Sequence, residues 1–144
     1  MTGRPVSSCI KRDQPLVAKA HDSVRSATLS MAEHCCSCIL ICEGEQLRGI
    51  FTERDLLVRV VAEGLDPDRT TLGQVMSPEP DTIESGEPVI EAIRRMDEFH
   101  YRHLPVIESG KVLGVVALRD LPFDDLIGMQ PELDQRHALA ERMW

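Results

Sequence analysis

Aromatic residues are scarce in this chain, with three Phe, one Tyr and one Trp among 144 residues. Its core must therefore be aliphatic, and single-stranded nucleic acid binding on stacked aromatic platforms is disfavoured. Positive charge is in deficit too, 16 Lys and Arg against 24 Asp and Glu, for a formal net charge of -8. That field repels a phosphate backbone at long range and argues against nucleic acid, yet leaves room for a local basic pocket around one small phosphate ligand. No run approaches the roughly 18 apolar residues that cross a bilayer, and the opening MTGRPVSSC lacks the apolar stretch of a secretory signal. The expectation is a cytoplasmic protein without membrane association. Cysteines are odd in number, five, and fall at 9, 35, 36, 38 and 42. This is not a disulfide framework, so reduced thiols are expected. Also missing are G-x-x-x-x-G-K, G-x-G-x-x-G and an ordered Ser/His/Asp set, so no enzymatic reading has a motif behind it.

What the chain does have is a repeat. A shift of 65 positions lays residues 47–56 (LRGIFTERDL) on residues 112–121 (VLGVVALRDL) without a gap. The same shift places Pro15, Val24, Ala27, Met31, Glu33 and Glu43 on Pro80, Val89, Ala92, Met96, Glu98 and Glu108. A repeated unit that cannot bury its apolar face alone buries it against its neighbour. Two copies therefore predict a pseudo-twofold α/β (α+β) module, and a chain of this length buries roughly 68–70% of its unfolded surface.

Each copy reads as strand, helix, strand, strand, helix. In the second, an extended piece at 81–84 meets a turn at Ser85, Gly86 and Pro88, a helix carries Val89, Ile93, Met96 and Phe99 on one core-facing stripe, and strands at 104–107 and 112–118 flank a turn at 108–110. A further helix follows Asp120 through Leu121 and Pro122. In the first, Asp22 is the expected N-cap of a helix with apolar Val24, Ala27 and Met31. Strands follow at 38–42 and 47–51, then a helix at 54–63 with Gly64 at its C-terminus. Thr71 with Gln74 predicts a capping box for one helical turn ending near Met76, and SPEPD forces an extended entry to the second copy. The expected organisation is a tail at 1–9, a first repeat at 10–66, a stiff linker at 67–74, a second repeat at 75–125 and a C-terminal tail or helix at 126–144, with an amphipathic stretch at 133–144 suited to a terminal or dimer contact.

GIFTERDL at 49–56, YRHLPV at 101–106 and GVVALRDL at 114–121 are the motifs through which residues 10–123 resemble a pair of CBS domains, the Bateman module of nucleotide-sensing regulators. The resemblance implies two βαββα repeats and a regulatory protein, not an enzyme, since catalysis in such proteins resides in a separate domain. It also implies an adenosine-containing ligand (AMP, ADP, ATP, NAD or S-adenosylmethionine) in a cleft between repeats, with no cofactor required, and homodimers acting on an unidentified partner.

Residue chemistry fits that implication. Asp55, in the first turn of a helix, is an acceptor that can span two adjacent ribose hydroxyls. Thr52, in the strand-to-helix turn, can offer a hydroxyl and nearby amides to a phosphate. The resemblance also implies basic residues at the phosphate, at positions held here by Arg54, Arg102, His103 and Arg119, Arg being suited to bidentate contact; Pro105 belongs to the same motif. Thr82 and Ile83 match the segment bordering the base, and Asp120 is the second copy's ribose candidate. The copies differ, with Ala117 in the place of Thr52, Ser37 in the place of Arg102 and Leu40 in the place of Pro105. Losing a hydroxyl at 117 removes a phosphate donor worth about 1 kcal/mol, so the Asp55 site is expected to be the stronger.

Other readings of these residues stay open. Thr-x-x-Asp before an apolar run also describes a helix cap, and Arg54 and Arg119 could form surface ion pairs. The HCCSC run at 34–38 with Cys42 admits a thiol or metal sensor, although adjacent Cys35 and Cys36 lack zinc-knuckle spacing and small buried hydrophobes suit Cys38 and Cys42. A ligand-free dimeric scaffold with degenerate clefts is the alternative from a different class.

Overall fold

The computed structural model describes residues 3–10 and 15–121; the helix expected from Pro122 and the segment 126–144 lie outside the described residues. These form two compact units, one of residues 15–80 and one of residues 3–10 with 81–121. Each mixes helices with a single sheet, so the chain is of α+β class.

In the unit 15–80, β1 (Val17–Ala18) leads to α1 (Val24–Glu33), the hairpin of β2 (Cys38–Glu43) and β3 (Gln46–Thr52), one helical turn α2 (Glu53–Asp55), a π-helical run Leu56–Val61, α3 (Leu72–Val75) and β4 (Ser77–Pro78). The sheet order is β1-β2-β3-β4, with β1 parallel to β2 and the other pairs antiparallel. Ser23, not the expected Asp22, caps α1: its hydroxyl accepts the Ser26 N–H at 3.0 Å, while Asp22 accepts from Lys19 N–H at 2.9 Å. Val24, Ala27 and Met31 recur at helical spacing and enter a core with Ile39, Ile41, Phe51, Val60, Leu72 and Val75. The helix expected at 54–63 instead changes its hydrogen-bond register after Asp55 and ends in a Schellman motif. Gly64 stands at φ +71° and donates to Val61 O, while Leu65 donates to Val60 O. α3 is the expected turn, with Gln74 Oε1 accepting from Thr71 N–H at 2.8 Å.

The other unit holds β5 (Ile83–Glu84), α4 (Val89–Phe99), β6 (His103–Glu108) and β7 (Lys111–Ala117), followed by a 3-10 turn at Leu118–Asp120. Its sheet order is β5-β6-β7. Val89, Ala92, Ile93 and Met96 bury the inner stripe of α4. Phe99, expected on that stripe, is 53% exposed and stacks on Tyr101 with centroids 5.9 Å apart. It is the last residue of α4. Ser109 and Gly110, at φ +53° and +78°, close the β6–β7 hairpin as a two-residue turn.

The repeat reaches into backbone detail. Bulges fall at Ile41/Cys42 and Val106/Ile107, left-handed residues at Cys35 and His100, and the bonds Glu53 N–H to Ser37 O and Leu118 N–H to Arg102 O open the final helical turns. All are 65 positions apart. One part of the architecture does not follow the linear reading. Residues 1–9, expected as a tail, hold a 3-10 helix, Val6–Cys9, whose Val6 and Cys9 are buried in the core of the unit containing the second repeat. Val6 N–H donates to Glu87 O and Val89 N–H to Arg4 O. In the other unit Leu72 donates to Asp22 O and Val24 to Thr70 O. Ile10 lies over Gly114 as Met76 lies over Gly49; a Cβ on Gly114 would come 2.6 Å from Ile10 Cγ2, and one on Gly49 would run into Met76 Sδ. Each repeat is thus completed by the segment that precedes the other repeat in the chain.

Val6 is fully buried and Val17 is half exposed. Val6→Ala is expected to lower the unfolding free energy by about 2 kcal/mol through lost burial and the cavity left behind, and Val17→Ala to change it by less than about 0.5 kcal/mol, as read from urea unfolding midpoints.

Candidate functional site

Two sets of candidate residues gather at equivalent places, the junction of the last long strand with the helical turn after it. In the unit 15–80 the β3 backbone delivers Thr52 to the N-cap of α2, and Thr52 and Asp55 bind each other reciprocally. Thr52 N–H donates to Asp55 Oδ2 at 2.9 Å, the Thr52 hydroxyl donates to the same oxygen at 3.2 Å, and Asp55 N–H donates back to Thr52 Oγ1 at 3.2 Å. The cap and the candidate site are made of the same atoms. In this arrangement the Thr52 hydroxyl hydrogen is directed at Asp55. The Asp55 side chain is only 13% exposed, and Arg59 Nε approaches its Oδ1 at 3.6 Å. Arg54 is exposed on the same turn.

In the unit containing residues 81–121, pairing of His103 with Ala117 at the mouth of the β6–β7 hairpin brings Arg102, His103 and Arg119 together. Burial, then the adjacent positive charges of Arg102 and Arg119, push the His103 imidazole down to about 4. At neutral pH His103 is therefore an uncharged ring between two cations. Asp120 ends the 3-10 turn, and Ala117 at its N-cap supplies no side-chain bond. Pro105 is buried opposite Val115. Ile83 is buried in β5; Thr82 is half-buried, and its carbonyl accepts from Arg95 Nη1. Beside that segment Tyr101 donates to Asp81 at 3.2 Å, and burial followed by the Asp81 charge raises its phenol pKa.

Two arginines absent from the sequence reading belong to these surroundings. Arg59 touches Asp55, and Arg95 ties Thr82 to Glu91 and Glu87. Each lies four residues along a helix from its carboxylate, Asp55 to Arg59 and Glu91 to Arg95, the spacing that makes helical ion pairs. That spacing was the available signal. None of the five cysteines is in a disulfide. Burial raises the Cys42 thiol above its ordinary value, which favours the protonated form over a reactive thiolate. Among the described residues, no group of three or more His, Cys, Asp or Glu is placed to hold a metal ion, and no helix is long and apolar enough to cross a membrane.

Comparison with known proteins bears on this pairing of sites. The model of the CBS domain family matches residues 6–62 and 72–121. The CBS domain-containing protein CBSCBSPB1 of Arabidopsis thaliana is 39% identical over 116 residues, covering 78% of this chain and 21% of that protein. The chain spans about a fifth to a quarter of the length of such curated relatives. Among solved structures, a putative signal-transduction protein with CBS domains from Burkholderia ambifaria superposes with a TM-score of 0.78 at 27% identity, over 88% of this chain and 96% of that one. A CBS domain protein from Pyrobaculum aerophilum complexed with AMP does so with a TM-score of 0.77 at 25% identity, over 90% and 98%. With both repeats matched by the family and the solved pairs covering nearly the same length, the chain belongs to the CBS-domain family as a tandem pair.

Proposed function

We propose that this CBS pair is a regulatory, non-catalytic sensor of an adenosine-containing ligand, with Asp55 accepting ribose hydroxyls. The observation that carries the reading is the AMP complex of the Pyrobaculum aerophilum relative, which aligns with 90% of this chain. The residue chemistry here is suited to the same class of ligand. Asp55 is a shielded carboxylate with Oδ1 on the side away from the Thr52 cap, and vicinal hydroxyls are donors that such a group accepts. Thr52 and Arg54 lie on the same turn. Arg102 and Arg119 flank a neutral His103 and suit a phosphate, with Asp120 as the second carboxylate. Thr82 and Ile83 would border the base and Pro105 would shape the strand behind. Occupancy is read out by a partner protein, in a cytoplasmic homodimer. Leu57, Val58 and Val61, which remain exposed on the π-helical run, are the kind of surface such an assembly covers.

Thermal melts with AMP, ADP, ATP, NAD and S-adenosylmethionine test the reading. A ligand present at about 100 times its Kd adds about 2.7 kcal/mol to stability, and the midpoint should rise with at least one of the five. No rise with any of them at millimolar concentration would leave a ligand-free scaffold.

Because Asp55 also caps a helix, Asp55→Asn is the informative variant. It keeps a cap acceptor and removes the charge, so the ligand-induced rise should vanish while the unliganded midpoint moves little. Asp55→Ala additionally loses the acceptor for Thr52 N–H in the capping box, worth about 1 kcal/mol.

The Arg102–His103–Arg119 set makes a separate prediction. The folded pKa of His103, about 4, lies below its ordinary 6.5, so between those values the unfolded chain binds the extra proton. The contribution of neutral His103 to stability is intact near neutrality and is lost as pH falls from 6.5 toward 4. Urea midpoints across that window should fall more steeply for the native chain than for His103→Gln; equal slopes would show that His103 does not titrate in this way.

A further inference from the structure

Asp55 does not hold its orientation alone. Its Oδ2 receives both Thr52 donors, so that oxygen has no lone pair left for a further strong bond. A ligand must therefore be met mainly at Oδ1, which faces Arg59 Nε at 3.6 Å. The far edge of the same guanidinium is tied down, since Arg59 Nη1 donates to the carbonyls of Val75 at 3.2 Å and Met76 at 3.1 Å. Those groups close the C-terminal end of α3, where carbonyls lack partners within the helix.

We infer that Arg59 is a positioning residue for ribose recognition. Anchored on the end of α3, it holds Asp55 with Oδ1 turned to accept two adjacent hydroxyls. The inference rests on the reading of Asp55 as the ribose acceptor. A planar fork that stays charged at all working pH can serve two carbonyls and a carboxylate together, which a lysine ammonium on a flexible stem does less well. Fixing the acceptor before the ligand arrives removes an ordering cost from binding. The sequence carries an independent mark of the asymmetry. The residue 65 positions beyond Arg59 is Asp124, so the second repeat has a carboxylate where the first has this cation, and Asp120 has no corresponding arginine four residues on. Ribose selectivity is thereby assigned to the first repeat.

The test is calorimetric titration of AMP and 2′-deoxyadenosine monophosphate into the full chain, into Arg59→Gln and into Arg59→Lys, with circular dichroism as the check on folding. The native chain should prefer AMP over the deoxy ligand. In Arg59→Gln, AMP affinity should fall about tenfold, 1.4 kcal/mol, while affinity for the deoxy ligand falls much less, so the preference narrows; Arg59→Lys should restore part of it. If Arg59→Gln does not fold, the narrowing in Arg59→Lys decides. A purely structural role would weaken both ligands in proportion and leave the preference intact, and that result, or unchanged binding, overturns the inference. Failure of the native chain to bind either ligand would instead overturn the reading of the site itself.

Discussion

A small sheet covered on one face by a single helix still leaves apolar surface beside its last long strand. In this protein that surface is closed by Leu72 and Val75 next to β3 in one unit and by Val6 and Cys9 next to β7 in the other. With so few aromatics available, burial of short aliphatic side chains must supply the driving force, and each contributes in proportion to its apolar area. Both candidate sites stand at the ends of β3 and β7, the strands these segments press on. The direction in which Thr52 and Asp55, or Arg102 and Arg119, present themselves therefore follows from how well those segments seat.

The Thr52–Asp55 turn joins structure to chemistry in the same atoms. A reciprocal cap holds the carboxylate in one rotamer and takes one of its oxygens; Arg59 aligns the other. The second repeat keeps the backbone of this turn, down to the bond from Leu118 N–H to Arg102 O, but replaces the threonine with Ala117 and places Arg102 where the first repeat has Ser37. Duplication has preserved the scaffold while the two copies diverged in charge, toward an acceptor set in one and a cationic set in the other.

Much of this was legible in the sequence because one ungapped shift of 65 positions aligns side-chain patterns that backbone hydrogen bonds also obey. Strands, hairpin turns and the inner stripes of α1 and α4 followed from periodicity and turn chemistry. The exchanged segments did not, since Val6–Cys9 corresponds to Leu72–Val75 at a shift of 66 and shares no identical residue with it. Asp22 and Ser23 are both good capping residues, and backbone geometry chose between them. Phe99 obeyed helical spacing, but as the last residue of α4 it stays exposed and stacks on Tyr101 instead of entering the core. Thr52 and Asp55 were legible as a motif and as a helix cap, but not as a reciprocal pair that takes up one carboxylate oxygen.

The crossing of segments also dictates the order in which the chain can finish folding as it leaves the ribosome. The unit 15–80 has every piece of its core once β4 has emerged. Arg4 and Val6, though synthesised before that unit, must wait for Glu87 and Val89, so they stay undocked while the unit 15–80 forms and close a long loop afterwards. Residues made ahead of one unit thus find their place only after it is complete.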